Sequence, residues 1–311
     1  MGVLFGIIAP VFALICMGAA SVRLRLLEMA AVRGMSDFVF YAAMPCLLFG
    51  SLAGAPPLRL ADVAGSFLAG AMLLFAVAVI VARTALRTPL AHASVFALNC
   101  VFGNTVMLGI PVVDAAYGQE GVANLLAVIA FHSGVLLPLA TVLIEADPAS
   151  HGDAGRGPLG VLRAALPGLL RNPVVVSIAL AFLWRASGLD IPVPVARLLG
   201  LLGAAGPPLA LFCLGATLPH PTGWSDLREV SLAAVFKLVL MPALVALFAH
   251  LAGVSGIAFA VVVMASALPT GANAFLLARR FATMAEASAS TVVVSTALSV
   301  VTLTVLLAYL E

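Results

Sequence analysis

The chain has 311 residues, of which 63% are hydrophobic and only 9% charged, with a mean hydropathy of +1.20. A soluble domain of this size carries about one quarter charged residues, so water is excluded as its main solvent, and a net charge of +2 excludes the basic footprint of a nucleic-acid binder. Apolar stretches such as Phe67–Ala82 exclude the two-residue alternation of a membrane β-barrel; in a bilayer core about 30 Å thick the chain must cross as helices of roughly 20 residues, which pair their own backbone groups.

Charges and turn residues predict ten apolar segments, at 3–21, 36–53, 62–82, 93–116, 121–144, 173–188, 196–218, 230–251, 255–278 and 287–309. The first opens Met1-Gly-Val-Leu-Phe-Gly without a positive flank and runs unbroken to Ser21, which reads as a span and not as a cleaved leader. Segment two carries Pro45. Segment four reads Asn99-Cys-Val-Phe-Gly-Asn-Thr-Val-Met-Leu-Gly-Ile-Pro111, with Asp114 one turn further on. Segment five contains His132. The polar stretch Glu145–Arg171 divides five segments from five, giving a first repeat at 1–144, a linker at 145–171 and a second repeat at 172–311. Segment seven carries Pro208 and segment eight Lys237, the sole lysine, followed by Pro242. Segment nine reads Ala265-Ser-Ala-Leu-Pro-Thr-Gly-Ala-Asn-Ala-Phe275. The cysteines Cys16, Cys46, Cys100 and Cys213 lie within apolar segments without metal-ligand spacing and read as buried free thiols, with no metal or cofactor.

Arginines set the orientation. Odd-numbered loops hold Arg23, Arg25, Arg33, Arg83, Arg87, Arg156, Arg163, Arg171, Arg228, Arg279 and Arg280, whereas even-numbered loops hold Arg59, Arg185 and Arg197. The positive-inside bias predicts a cytoplasmic linker and both termini outside. Five spans per half then invert the second half relative to the first. The proline spacing agrees with this division, since 163 residues separate both Pro10 from Pro173 and Pro45 from Pro208.

Segments four and nine each carry helix-breaking residues near their middle, and paired interruptions in corresponding spans mark transport sites. Gly103, Gly109, Pro111, Pro269 and Gly271 predict opened backbone. Freed backbone groups in lipid are tolerated only against protein or a water-filled cavity. There the N-terminal end of a following half-helix favours an anion, and Asn104, Thr105, Thr270 and Asn273 add polar contacts without a charge.

These stretches also carry a family resemblance. Phe102-Gly-Asn-Thr-Val-Met-Leu-Gly-Ile-Pro-Val112 resembles the fourth-helix signature of the auxin efflux carrier family, Ala267-Leu-Pro-Thr-Gly271 its ninth-helix crossover, and Tyr41-Ala-Ala-Met-Pro-Cys-Leu-Leu-Phe49 its second-helix pattern. The resemblance implies an all-α integral membrane protein of ten helices in two inverted repeats, of the elevator type and related in fold to bile acid symporters. Helices four and nine would be broken and cross at the substrate; helices 1, 2, 6 and 7 would be scaffold and helices 3–5 and 8–10 transport. It implies a homodimer in a bacterial inner membrane, a small organic anion such as malonate or an auxin-like carboxylate as substrate, Asn104 as a substrate contact and Pro269 as the second crossover proline. Plant members place proline where Gly103 stands, so the first break here rests on Gly103, Gly109 and Pro111. The short linker lacks the long cytoplasmic loop of many plant carriers.

Three ionisable positions are candidates for coupling or gating, each with a plainer reading beside it. Lys237 either attracts an anion from a cavity or snorkels to the cytoplasmic interface. His132 either carries a coupled proton or packs as a neutral, hydrogen-bonded ring. Asp114 either pairs with a cation or faces the outer vestibule. Acidic ligands near the breaks are not evident, which favours uniport or proton coupling over the alternative of a sodium-coupled symporter. A channel or a receptor is a remoter alternative. A hydrolase is remoter still: Ser133 follows His132, but neighbours on a helix point about 100° apart, and no G-x-S-x-G or H-E-x-x-H occurs.

Overall fold

The computed structural model describes residues 8–53, 60–147, 173–218 and 227–310. The first turns of segment one, Arg59 and the linker beyond Asp147 lie outside them. The described residues form helices: α1 (Ala9–Arg23), α2 (Met29–Phe38), α3 (Met44–Ala53), α4 (Leu60–Thr84), α5 (Leu90–Val101), α6 (Ile110–Glu145), α7 (Pro173–Ala186), α8 (Val193–Thr217), α9 (Leu227–Val235), α10 (Met241–Leu251), α11 (Gly256–Ala267), α12 (Ala272–Arg280) and α13 (Ala285–Leu310). Among the described residues, six stretches are long and apolar enough to cross a membrane, at Met29–Gly50, Ala61–Thr84, Thr105–Glu145, Val193–Thr217, Leu227–Leu251 and Ala285–Leu310.

Prolines explain three joints between these helices. Wide π-helical turns at Val39–Ala43, Thr105–Gly109 and Phe236–Leu240 each end two residues before a proline, at Pro45, Pro111 and Pro242. Proline has no N–H to donate and its ring collides with the carbonyl four residues back. A turn with five-residue spacing relieves both problems, so the chain bends without stopping. At Gly118 the course of α6 breaks differently, with φ 60° and ψ −155°, at the point where the sequence separates segments four and five.

The chain divides into two compact units. One contains α1–α3, residues 106–127, α7 and α8; it gathers segments one, two, six and seven and adds residues from segments four and five. Glycines let its helices meet backbone to backbone. A Cβ built on Gly18 would lie 1.9 Å from the Phe212 carbonyl oxygen, and one on Gly215 would lie 1.8 Å from that of Ile15, so α1 and α8 touch through two reciprocal glycine contacts. Gly203 and Gly206 likewise leave room for Leu47 and Ala43. Small residues at helix contacts are how helices associate in lipid, where apolar side chains gain nothing by leaving the solvent.

The other unit contains residues 61–105, 128–147 and α9–α13. Gly70 of α4 abuts Val245 of α10 in the same way. The start of α5 is tied down twice. The Ala91 N–H donates to Asp147 Oδ2 (2.7 Å), and His92 Nε2 lies 3.0 Å from Glu229 Oε2. α13 is inverted in polarity. Ser288, Thr291, Ser295 and Ser299 are buried along one side, while Leu298, Val301 and Val305 are exposed on another. Leu303 and Leu307 are buried on the same helix, but a row of hydroxyls inside with large apolar side chains exposed beside it suits a lipid solvent and not water.

The structure corrects part of the expectation for the cysteines: Cys100 and Cys213 are buried, but Cys16 is exposed and Cys46 half-buried, all four being free thiols.

The glycine contacts of α1 and α8 give a direct test. Gly215→Ala should destabilise the purified protein by about 1–3 kcal/mol through overpacking. Gly200→Ala, on the same helix with open space at its Cβ position, should leave stability equal or slightly raised. Equal melting temperatures for the two variants in detergent would remove the contact.

Candidate functional site

Both interrupted helices fail at the same register. In α5 the carbonyl of Asn99 would ordinarily receive the N–H of Gly103, four residues on, and in α11 the carbonyl of Ser266 would receive that of Thr270. Neither bond forms. The Gly103 N–H donates instead to His132 Nε2 (3.1 Å), and the Thr270 N–H donates to Ser295 Oγ (3.1 Å). Phe102 and Leu268 turn extended, with ψ of 110° and 147°.

The two extended strands then pair. Gly103 and Thr270 form an antiparallel bridge, in which the Asn104 N–H donates to the Pro269 carbonyl and the Gly271 N–H to the Phe102 carbonyl, each at 2.9 Å. In this kind of pair the bridging residues approach most closely and their own N–H groups point away from each other, which is why both need side-chain acceptors. The crossing thus satisfies four backbone donors that two broken helices would otherwise leave bare.

The freed carbonyls are also taken up. Thr270 Oγ1 donates to the Asn99 carbonyl (2.9 Å), and Lys237 Nζ donates to the Ser266 carbonyl (2.5 Å). Asn99 is held in turn, its Nδ2 donating to the Val95 carbonyl and its Oδ1 accepting from Ser288 Oγ, both at 2.9 Å. Asn99, Asn104, Lys237, Ser266 and Thr270 are all buried. His132 is enclosed by aromatic faces, with ring centroids 4.0 Å from Phe102 and 5.6 Å from Phe67.

These contacts bring Gly103, Asn104, Pro269, Thr270 and Gly271 together with His132 and Lys237. Thr105 is buried at the start of the π turn, and Asn273 is exposed on the first turn of α12, outside this set of bonds. Gly109, Pro111 and the half-buried Asp114 belong to the other unit, as do Pro45 and Pro208.

Two expectations change. Lys237 does not snorkel: it is 0% exposed and its amine ends on a helix carbonyl. The first break does not need the backbone freedom of glycine, because neither Gly103 nor Gly109 has a positive φ; the tight place is opposite, where a Cβ on Gly271 would lie 2.9 Å from the Gly103 carbonyl oxygen.

His132 and Ser133 also come closer than their helical offset suggests, with Ser133 Oγ 3.4 Å from Nδ1. Since Nε2 accepts from Gly103, the neutral ring keeps its proton on Nδ1, and His132 is in no position to take one from Ser133.

Ser288 and Ser295 escaped the sequence reading. Their signal was a row of hydroxyls at helical spacing in an otherwise apolar segment, Ser288, Thr291, Ser295 and Ser299. A further one lay in the residue spacing, since His132 and Ser295 stand 163 residues apart, as do the paired prolines.

Comparison with known proteins adds two findings. The model of a family described as membrane transport protein matches residues 3–307. A protein of Rhizobium meliloti (strain 1021), described as "Putative malonate transporter", is 26% identical over 314 residues, covering 99% of this chain and 96% of its own length.

The crossing predicts an asymmetry between its glycines. Gly271→Ala must push the backbone of the opposite strand and should cost about 1–3 kcal/mol, whereas Gly103→Ala meets neighbours only at 3.4–3.6 Å and should cost clearly less. Thermal unfolding of the two variants side by side checks the order; the reverse order would contradict the bridge geometry.

Proposed function

We propose, from the premise that this chain belongs to the membrane transport protein family, that it is a secondary carrier of small organic carboxylate anions which binds its substrate at the crossing of the two interrupted helices. Its membership agrees with the motif resemblance to auxin efflux carriers. The relative described as a malonate transporter supports a carboxylate of malonate type. The observation that carries the reading is the Gly103–Thr270 bridge, beside which Asn104 lies buried and α12 begins.

The chemistry follows from the chain ends. The first N–H groups of a helix have no partner within it and carry a partial positive charge, and α12 starts directly after the bridge at Ala272. A carboxylate is a good acceptor for such groups. Asn104 and Thr105 offer neutral donors next to them, which orient an anion without themselves needing a counter-charge in an apolar medium.

On this reading the protein spans the membrane ten times as two inverted repeats, with residues 1–144 and 172–311 as the halves. The unit holding α1–α3, α7 and α8 is the scaffold, and the unit holding the crossing carries the substrate between the two sides by alternating access. The arginine bias supports a cytoplasmic linker and outward termini. The membrane is the bacterial inner membrane and the assembly a homodimer, as the family resemblance implies.

In proteoliposomes, Asn104→Ala should lower saturable malonate flux by about tenfold or more, a transition-state loss near 1.4 kcal/mol, with the melting temperature nearly unchanged. Wild-type flux in this variant would remove Asn104 from the site.

A further inference from the structure

The two broken helices end alike but are closed by different groups. At equivalent positions, four residues before each bridging residue, the Asn99 carbonyl is met by a neutral hydroxyl and the Ser266 carbonyl by the amine of Lys237. Lys237 reaches it from the π turn between α9 and α10, with no exposed surface. Its Nζ also lies 3.5 Å from the position a Cβ on Gly103 would occupy, so the amine is wedged between the last turn of α11 and Gly103, two residues past α5.

A helix C-terminus carries a partial negative charge, and here the ends of α5 and α11 converge on one spot. Such ends, with unwound carbonyls, are where interrupted transporter helices in general hold a sodium ion or a proton. Among the described residues, the side chains whose bonds hold this crossing include Asn99, His132, Lys237, Thr270, Ser288 and Ser295, none of them a carboxylate. His132 faces the same spot as a neutral ring, and the Cys100 thiol is the other titratable group beside the lysine. Among the described residues, the amine is therefore paired with a backbone carbonyl and with no carboxylate. Burying a cation in this way is costly unless an anion completes the site.

We infer that Lys237 is a tethered cation, which fills at the crossing the place of a free metal cation and so makes the anion site complete without sodium. The inference rests on the carrier reading above, with Lys237 positioning the half-helix ends and supplying the positive charge that the substrate carboxylate meets. A purely structural lysine would act as a hydrogen-bond cap for Ser266 and nothing more. Charge and cap are separable, because a glutamine amide can donate to the same carbonyl without carrying a charge.

The test uses the full-length purified protein with Lys237→Ala and Lys237→Gln. In thermal unfolding, exchange of choline chloride for sodium chloride should leave the wild type unmoved, and sodium or ethylammonium should raise the melting temperature of Lys237→Ala by filling the vacated place. In proteoliposomes, wild-type malonate uptake should proceed at equal rates in sodium and in choline, and Lys237→Gln should lose about tenfold or more. Uptake by Lys237→Gln within twofold of wild type, a sodium requirement in the wild type, or indifference of Lys237→Ala to both cations would overturn the inference. If Lys237→Ala does not fold, the uptake of Lys237→Gln and the sodium independence of the wild type decide the inference by the criteria just given. Absence of any carboxylate flux in the wild type would overturn the carrier reading alone, since the thermal measurement decides the lysine without a substrate.

Discussion

Two helices that stop in an apolar setting must find new partners for the backbone groups they release, and the crossing follows from that constraint. Each released N–H or C=O left without a partner in such a medium costs several kcal/mol. The Gly103 and Thr270 N–H groups go to His132 and Ser295, the Asn99 and Ser266 carbonyls go to Thr270 and Lys237, and the next groups along pair with each other across the bridge. Asn99, His132, Lys237, Thr270 and Ser295 thus lie where the two helical ladders are cut.

The same constraint accounts for polar side chains that hydropathy alone leaves unexplained. Two of the buried hydroxyls of α13 serve the crossing, where Ser288 holds Asn99 and Ser295 receives the Thr270 N–H. Its large apolar side chains are free to face outwards, since lipid makes no demand that they be covered. His132, stacked on Phe102 and held by the Gly103 N–H, orients the first strand of the bridge.

In the other unit the forces differ. Close approach of α1 and α8 through Gly18 and Gly215, and of α3 and α8 through Gly203, makes contacts by backbone shape and dispersion, with little polar chemistry. Wide turns ahead of Pro45, Pro111 and Pro242 bend helices without cutting them. A proline alone therefore does not cut the helical ladder. Cutting the ladder here takes extended backbone at Phe102 and Leu268 together with a second segment that accepts the released groups.

The membrane class, the helical content and the two places of interruption were legible in the sequence, because each depends on local properties: unbroken apolar length, the missing N–H of Pro269 and the turn residues around Gly103. Asn104, Pro269, Thr270 and Gly271 could be placed at these interruptions for the same reason. What the sequence left open was the fate of Lys237, which a flexible stem could have carried to an interface, and the partners of the freed backbone. Those were decided by tertiary structure alone. His132, Ser266, Ser288 and Ser295 come from helices far apart in the chain, and their roles exist only once packing sets donor and acceptor within 3.1 Å of each other across the crossing.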